Sequence, residues 1–258
     1  MSELTVDRAA AVLLEAEDSR TDRPPITDEW PGLDLATAYA VQDETLRRRL
    51  ARGERLVGVK LGLTSRAKQE RMKISSPLTA WLTDAMVLPA GAAVPRDRLI
   101  HPRAEPEIVF VLAARLAGPG VTAAAALAAV GSVCGGMEVI DSRYRDFRFT
   151  LPDVVADNAS SGCFVTGPVA VPPAALDLAL EACLLERNGQ VVDSATGAAV
   201  QGHPAQALAL AANDLGRRGL ALEPGWIVLT GGMTDAVPVP DGAVLAAHFT
   251  HLGSVFLP

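Results

Sequence analysis

The spacing of apolar positions changes near residue 55. Before it, Ala9, Val12, Leu13 and Ala16 recur at helical spacing, and Arg23-Pro24-Pro25 then breaks the pattern. A second helical stripe, Leu35, Ala38, Val41, Thr45 and Leu46, follows Asp34, a good N-cap, and ends near Gly53. Beyond that point the period falls towards two. Val57-Gly58-Val59-Lys60-Leu61-Gly62-Leu63 alternates apolar residues with glycines, as a buried strand packed closely against another backbone would. Residues 105–112 read as a further strand, and Thr122 can cap an Ala-rich helix reaching about Val130. Asn188-Gly189, between apolar arms in residues 184–192, marks a hairpin. One more helix starts near His203-Pro204 and stops at Gly219, and strands at 226–230 and around Asp241-Gly242 close the chain. Strands with interspersed helices, but without regular βαβ alternation, predict an α+β fold. It divides into a small helical N-terminal part over residues 1–55 and a strand-rich main domain over residues 56–258.

Composition narrows the function classes. With 258 residues and 49% apolar content the chain can fill a substantial core. A net charge of −7 argues against a nucleic-acid partner, which requires a concentrated basic face. The basic run Arg47 to Arg49 falls at a helix end, where cations suit the helix dipole. Cys134, Cys163 and Cys183 are too few and too scattered for a disulfide framework or a thiolate zinc site, so a reducing compartment is expected. No segment approaches the roughly 20 apolar residues of a membrane span, and Met1 to Asp7 is polar and acidic. These features predict a cytoplasmic protein without a membrane partner.

Candidate chemistry begins with carboxylates. In Ala104–Leu112 the strand period puts Glu105 and Glu107 on one face and Pro106, Ile108 and Phe110 on the other. An E-x-E taken alone is most often a solvated strand face. Here the face of the glutamates continues as Val109 and Val111, so the strand reads as buried on both sides. Two carboxylates at its end would repel each other and resist desolvation unless a cation joined them. A third acid, Glu138, lies in the apolar run 135–141, opposite Met137 and Val139; it reads equally well as a structural acid paired with an arginine such as Arg143. Three carboxylates with no thiolate or histidine cluster make an all-oxygen site, suited to Mg²⁺ or Mn²⁺ rather than zinc.

Other polar residues carry two readings each. Lys60 is ordinarily a snorkelling surface lysine; in a functional role it would donate to an oxyanion. The segment 157–162, with Ser160 and Ser161, either presents donors to an anionic ligand or forms a plain turn. Thr230-Gly231-Gly232 combines a donor with residues that allow close backbone approach. His101, His203, His248 and His251 lack metal-ligand spacing, and only His203, beside a helix start, stands apart.

Taken in order, Val59-Lys60-Leu61-Gly62-Leu63-Thr64-Ser65, Leu82-Thr83-Asp84, His101-Pro102-Arg103-Ala104-Glu105-Pro106-Glu107, Ile140-Asp141-Ser142-Arg143-Tyr144, Val155-Ala156-Asp157-Asn158-Ala159-Ser160-Ser161 and Leu229-Thr230-Gly231-Gly232 resemble the hydratase/decarboxylase branch of the fumarylacetoacetate hydrolase superfamily. The similarity runs from about Leu35 to the C-terminus. It favours the decarboxylase side on Ile140-Asp141-Ser142-Arg143-Tyr144 followed by Phe147-Arg148-Phe149, and on Ser76-Pro77-Leu78, where the hydratases usually read Pro-Asp. Pro106 and Trp81 depart from the family pattern, and Trp81 is expected to narrow the pocket.

The resemblance implies a mixed, strand-rich main domain of the fumarylacetoacetate hydrolase type, a cation on Glu105, Glu107 and Glu138, and Lys60 beside the substrate. It implies a carbon–carbon lyase that decarboxylates 2-oxohex-3-enedioate, a small 2-oxo dicarboxylic acid, in meta-cleavage degradation of aromatic compounds. Mg²⁺ is the expected cofactor, with Mn²⁺ an alternative and no organic cofactor. A homo-oligomer and a complex with a 2-oxopent-4-enoate hydratase are the expected assemblies. Ser160, Ser161 and Thr230 are candidate substrate-binding residues, and Leu78 is a candidate apolar wall that favours loss of CO₂ over addition of water. Competing expectations are the hydratase reaction itself, another 2-oxo acid hydrolase or isomerase, and a weakly active partner subunit of a hydratase. Arg143 is assigned to structure rather than to the leaving carboxylate.

Overall fold

The computed structural model describes residues 4–66, 69–70 and 73–258. Two helices open it. Helix α1 (Val6–Asp18) is capped by Thr5, and α2 (Leu35–Ala51) by Asp34, whose carboxylate accepts the Thr37 N–H at 2.7 Å. The short helices α3 (Ala123–Ala128) and α4 (Leu151–Ala156) and the longer α5 (Pro204–Arg217) follow among the strands. The strands are β1 (Leu56–Gly62), β2 (Leu78–Thr83), β3 (Arg103–Leu112), β4 (Val130–Ile140), β5 (Ser161–Val171), β6 (Ala182–Arg187), β7 (Gln190–Thr196), β8 (Ile227–Leu229), β9 (Val237–Pro238), β10 (Leu245–Phe249) and β11 (Gly253–Leu257).

They form two sheets. The larger runs β2-β1-β8-β3-β4-β5, with β9 also paired to β3; the smaller runs β11-β10-β6-β7. Only the β1·β8 pairing is parallel among these ladders, which gives the mixed α+β architecture expected from the irregular alternation of elements. The β6–β7 hairpin turns on Asn188 and Gly189, both with positive φ (54° and 75°), the backbone that a two-residue primed turn requires. Gly58 lets β1 lie against β8: a Cβ there would stand 1.9 Å from the Ile227 carbonyl oxygen.

Pro106 sits in mid-strand without breaking the sheet. Strand β3 pairs with β9 at residues 103–104 and with β8 at 109–111, while the Pro106 carbonyl accepts the Met233 N–H at 2.9 Å. The missing proline N–H therefore falls in the gap between β9 and β8, where no ladder bond is lost.

Alternation divides the large sheet into two chemically distinct faces. Val59, Leu61, Ile108, Phe110, Met137 and Val139 join the main apolar core with Leu208 and Leu215 of α5 and Leu185 and Leu245 of the smaller sheet. The opposite face carries Lys60, Leu78, Arg103, Glu105, Glu107, Glu138 and Ile140, as the pairings Lys60↔Ala80, Gly62↔Leu78, Glu105↔Glu138 and Arg103↔Ile140 require. Part of that face is covered by α4, and α1 and α2 pack behind it in a second apolar cluster containing Leu13, Val41, Leu78, Tyr144 and Val155. Gln42 of α2 ties this layer together by donating to the carbonyls of Thr79 (3.1 Å) and Val155 (3.0 Å). Among the described residues no helix is long and apolar enough to cross a membrane, and the three cysteines are buried and unpaired.

Candidate metal centre

Antiparallel register brings the carboxylates together. Glu105 and Glu138 are direct cross-strand partners, and Glu107 faces Gly136, which has no side chain to occupy the space between them. One oxygen of each of the three side chains lies within 4.8 Å of the others. Like charges placed opposite each other on a sheet are destabilising, so the arrangement needs a compensating group. Glycines bring backbone against it: the Gly231 N–H donates to Glu107 Oε2 at 2.7 Å, and a Cβ on Gly232 would stand 2.1 Å from a Glu105 oxygen. The close approach expected of Thr230-Gly231-Gly232 is thus made to the glutamates.

Lys60 enters from β1. It is buried, contacts Glu138 Oε2 at 3.1 Å and donates to the Ala159 carbonyl at 2.9 Å. Burial works against its ammonium, but Glu138, Glu105 and Glu107 hold it above the ordinary lysine value. Burial, then the charges of Glu138 and Glu105, push Glu107 well above the usual carboxylate range; burial pushes Glu138 up to about 7 against the pull of Lys60. Glu107 Oε1 and Glu138 Oε1 are buried and accept no hydrogen bond among the described residues. Buried carboxylate oxygens with no donor are rare and costly. An all-oxygen donor set with orphaned acceptors and raised proton affinity fits a hard divalent cation such as Mg²⁺.

The cluster opens onto a cleft of about 560 Å³. Lys60, Arg103, Glu105 and Asp235 supply its charge, Ser160 a hydroxyl, and Leu63, Leu78, Ile140, Phe149 and Val154 much of its apolar wall. Leu78 and Ser160 therefore stand where substrate contact is available. Ser161 and Thr230 are placed differently. The Ser161 hydroxyl donates to the Asn158 carbonyl (2.7 Å) and that of Thr230 to the Ile108 carbonyl (2.7 Å), and neither residue is on the cleft wall. Both hydroxyls complete irregular backbone beside the site.

Arg143 does not pair with Glu138. It is buried in an ion pair with Asp157, donates to the Ser161 carbonyl at 2.9 Å and also bonds the Asp157 carbonyl. Its guanidinium is thereby committed to the turn before β5. The Trp81 ring does not narrow the cleft either: Trp81 pairs with Val59, on the face opposite Lys60, and its ring packs edge-on to Trp226. His203 proves to be a helix cap, its Nδ1 accepting the Ala205 N–H at 3.0 Å.

Two features had readable signals. Arg103 stands two residues before Glu105 and so on the same face, and its guanidinium lies 4.0 Å over the Phe147 ring at the cleft wall. Helix α4 announces itself by Thr150-Leu151-Pro152-Asp153: the Asp153 carboxylate accepts from the Thr150 N–H (2.8 Å) and hydroxyl (2.7 Å), with proline in the first turn.

Residues 55–256 match the model of the fumarylacetoacetate (FAA) hydrolase C-terminal family. The chain is 44% identical over 255 residues to 4-oxalocrotonate decarboxylase from Pseudomonas sp. (strain CF600), covering 98% of this chain and 97% of that protein. It is 43% identical over 232 residues to 2-hydroxyhexa-2,4-dienoate hydratase from Comamonas testosteroni, covering 89% and 88%. Among solved structures, 4-oxalocrotonate decarboxylase from Pseudomonas putida G7 complexed with magnesium and adipate superposes with a TM-score of 0.95 at 41% identity, covering 98% of this chain and 96% of that one.

Proposed function

The chain belongs to the fumarylacetoacetate hydrolase family, and from that premise we propose that it is a carbon–carbon lyase converting 2-oxohex-3-enedioate to 2-hydroxypenta-2,4-dienoate, or its tautomer 2-oxopent-4-enoate, and CO₂. The observation that carries this reading is the union, in one cleft, of a three-carboxylate cluster, a buried lysine and an apolar wall that includes Leu78. A relative that binds both magnesium and adipate, a six-carbon dicarboxylate, supports the choice of metal and substrate length.

In this reading Glu105, Glu107 and Glu138 hold Mg²⁺, for which Mn²⁺ can substitute on the same ligands. When bound, the ion supplies Lewis-acid polarisation of the substrate's 2-oxo group. The protein's own groups do the rest. As the C5–C6 bond breaks and CO₂ departs, its electron pair forms the C4=C5 bond, the former C3=C4 pair becomes C2=C3, and negative charge gathers on the C2 oxygen. Lys60 donates a hydrogen bond to that oxygen, where a proton then yields the dienol. Leu78, with Leu63, Ile140 and Val154, keeps water from the alkene carbons and leaves the C6 carboxylate poorly solvated, which favours loss of neutral CO₂. Arg103 adds positive charge that attracts a dianion to the cleft. A hydratase that consumes the dienol is the proposed partner, and self-association of the chain is proposed with it.

The deciding experiment is incubation of the pure protein with 2-oxohex-3-enedioate and Mg²⁺ while CO₂ and dienol are followed. Release of both is expected, and Leu78→Asp should impair it. Hydration of 2-hydroxypenta-2,4-dienoate by the parent without release of CO₂ from the dicarboxylate would overturn the assignment in favour of the hydratase reaction.

A further inference from the structure

Asn158, Ala159 and Ser160 stand in a row with left-handed backbone (φ 49°, 49° and 57°), a conformation that residues with a Cβ seldom adopt singly and that needs external support when it persists over three. The support is visible. The Asn158 side chain accepts the Trp81 N–H at 2.8 Å and donates to the Trp81 carbonyl at 2.9 Å, both within the buried interior. It occupies the outer edge of β2 as a neighbouring strand would. At the middle of the same turn the Ala159 carbonyl accepts from the Lys60 ammonium at 2.9 Å.

An ammonium has three N–H donors. The Ala159 carbonyl receives one of those of Lys60, Glu138 Oε2 stands 3.1 Å away as an ion-pair partner, and Lys60 lines the cleft towards which a further N–H can be turned. We propose that Asn158 is the positioning residue for Lys60: its clamp on the Trp81 backbone fixes the left-handed turn, the turn fixes the Ala159 carbonyl, and that carbonyl, by holding one N–H, sets the direction of the ammonium towards the cleft. The inference rests on the reading of Lys60 as donor to the developing enolate. Without the clamp the turn keeps its bonds to Asp157, Asp141 and Arg143 but loses its tie to β2, so the Ala159 carbonyl shifts and the ammonium, kept beside Glu138, pivots away from the reacting oxygen. It stays charged and within the cleft, so binding of substrate and metal is little changed while turnover falls.

The test is a double-mutant cycle on the full chain with Mg²⁺. Asn158→Ala should lower kcat by about tenfold to a hundredfold, the scale of a misplacement near 1 Å, with KM and Mg²⁺ affinity within about twofold of the parent. In a Lys60→Ala background the same substitution should cost less than about twofold, because its effect passes through the missing ammonium. An equal loss in both backgrounds, or a parental kcat in Asn158→Ala, would overturn the proposal. A second readout needs no turnover: the ¹⁵N resonance of the Lys60 ammonium in substrate-free protein should move in Asn158→Ala, and an unchanged resonance overturns the proposal whatever the reaction. Failure of the parent to release CO₂ would instead strike the reaction assignment and leave this readout to decide. Should Asn158→Ala fail to fold, Asn158→Asp, which keeps the acceptor for the Trp81 N–H and loses the donor to its carbonyl, goes through the same cycle with a smaller kcat loss.

Discussion

Arg143 and Asp157 are as deeply buried as Glu107 and Glu138, yet the two clusters are built on opposite terms. In the first, one guanidinium meets one carboxylate. Arg143 also bonds the carbonyls of Asp157 and Ser161, while the Asp157 carboxylate accepts from the Arg143 N–H (3.3 Å) and the Ser160 hydroxyl (3.3 Å). In the second, three carboxylates crowd one side of a sheet, and Glu107 Oε1 and both oxygens of Glu138 accept no hydrogen bond among the described residues. Burial raises the carboxylates of both, Asp157 to about 6 and Glu138 to about 7, but only the first cluster supplies a full set of partners. A buried ion pair completed by hydrogen bonds is a strut, whereas carboxylates left short of donors form a receptor for a cation. The segment from Asp157 to Ser160 joins them, since it takes its anchor from Arg143 and offers its Ala159 carbonyl to Lys60.

The largest effect should come from breaking the strut. Asp157→Ala leaves the Arg143 charge buried without its partner, which typically costs about 3–5 kcal/mol of folding stability. Urea unfolding of the metal-free protein would measure it. Glu107→Gln, at a position equally buried, should move stability the other way in the absence of metal, because it removes repulsion from Glu138 and Glu105. If both substitutions destabilise alike, the distinction between strut and receptor fails.

Lys60→Ala sharpens the contrast inside the receptor. Loss of one such donor lowers kcat by roughly 10²–10³. Metal affinity should not fall with it, since removing a cation beside Glu138 favours another cation in its place. Steady-state kinetics with calorimetric Mg²⁺ titration separates the two quantities. A Lys60→Ala protein that lost metal affinity and kept kcat would assign the lysine to the wrong task.

Smaller again is the expected loss in Glu138→Gln. As one of three ligands, its replacement should weaken Mg²⁺ by about 100-fold, the upper end of what supporting residues of metal sites contribute. Arg143→Met, in whatever fraction folds, should leave Mg²⁺ affinity near the parent value. Calorimetry on the two variants reports whether the clusters are separate.

The sequence disclosed these regions unequally, for physical reasons. Period-two alternation is local, so the common face of Glu105 and Glu107 is legible from five residues, and the same rule reaches Arg103 when carried two residues upstream. The pairing of Glu105 with Glu138 depends on strand register, which the 32 intervening positions do not reveal; there the family resemblance supplied what spacing could not. Arg143 and Glu138 are near in sequence, but nearness says nothing of partner choice, and the guanidinium lies with Asp157. The polar segment 157–161 is compatible with ligand display or with a turn. Its hydroxyls and the Asn158 amide prove to be spent largely on holding backbone, as only tertiary contacts could show. The caps Asp34 and Thr122 were legible because each bonds a residue three positions away.

Proton competition gives the smallest effect and the most direct test of the receptor's charge. A carboxylate must shed its proton to bind a cation, and Glu138 holds its proton up to about pH 7. Lowering the pH from 8 to 6.5 should therefore weaken Mg²⁺ by at least about fourfold, the share of the Glu138 proton alone, since the raised Glu107 carboxyl competes as well. The stability of the metal-free protein should move the opposite way. Because the folded-state values of Glu107 and Glu138 lie above their unfolded values, the folded chain binds more protons than the unfolded chain between about pH 4.5 and 7, so these groups stabilise it as pH falls through that window. Saturating Mg²⁺ reverses the sign for the pair, since the bound ion requires both carboxylates ionised. Melting temperatures of the parent with and without Mg²⁺, each compared with Glu138→Gln, isolate the contribution of this side chain from that of Asp157, which titrates near pH 6. A pH dependence unchanged by Glu138→Gln would remove Glu138 from the receptor.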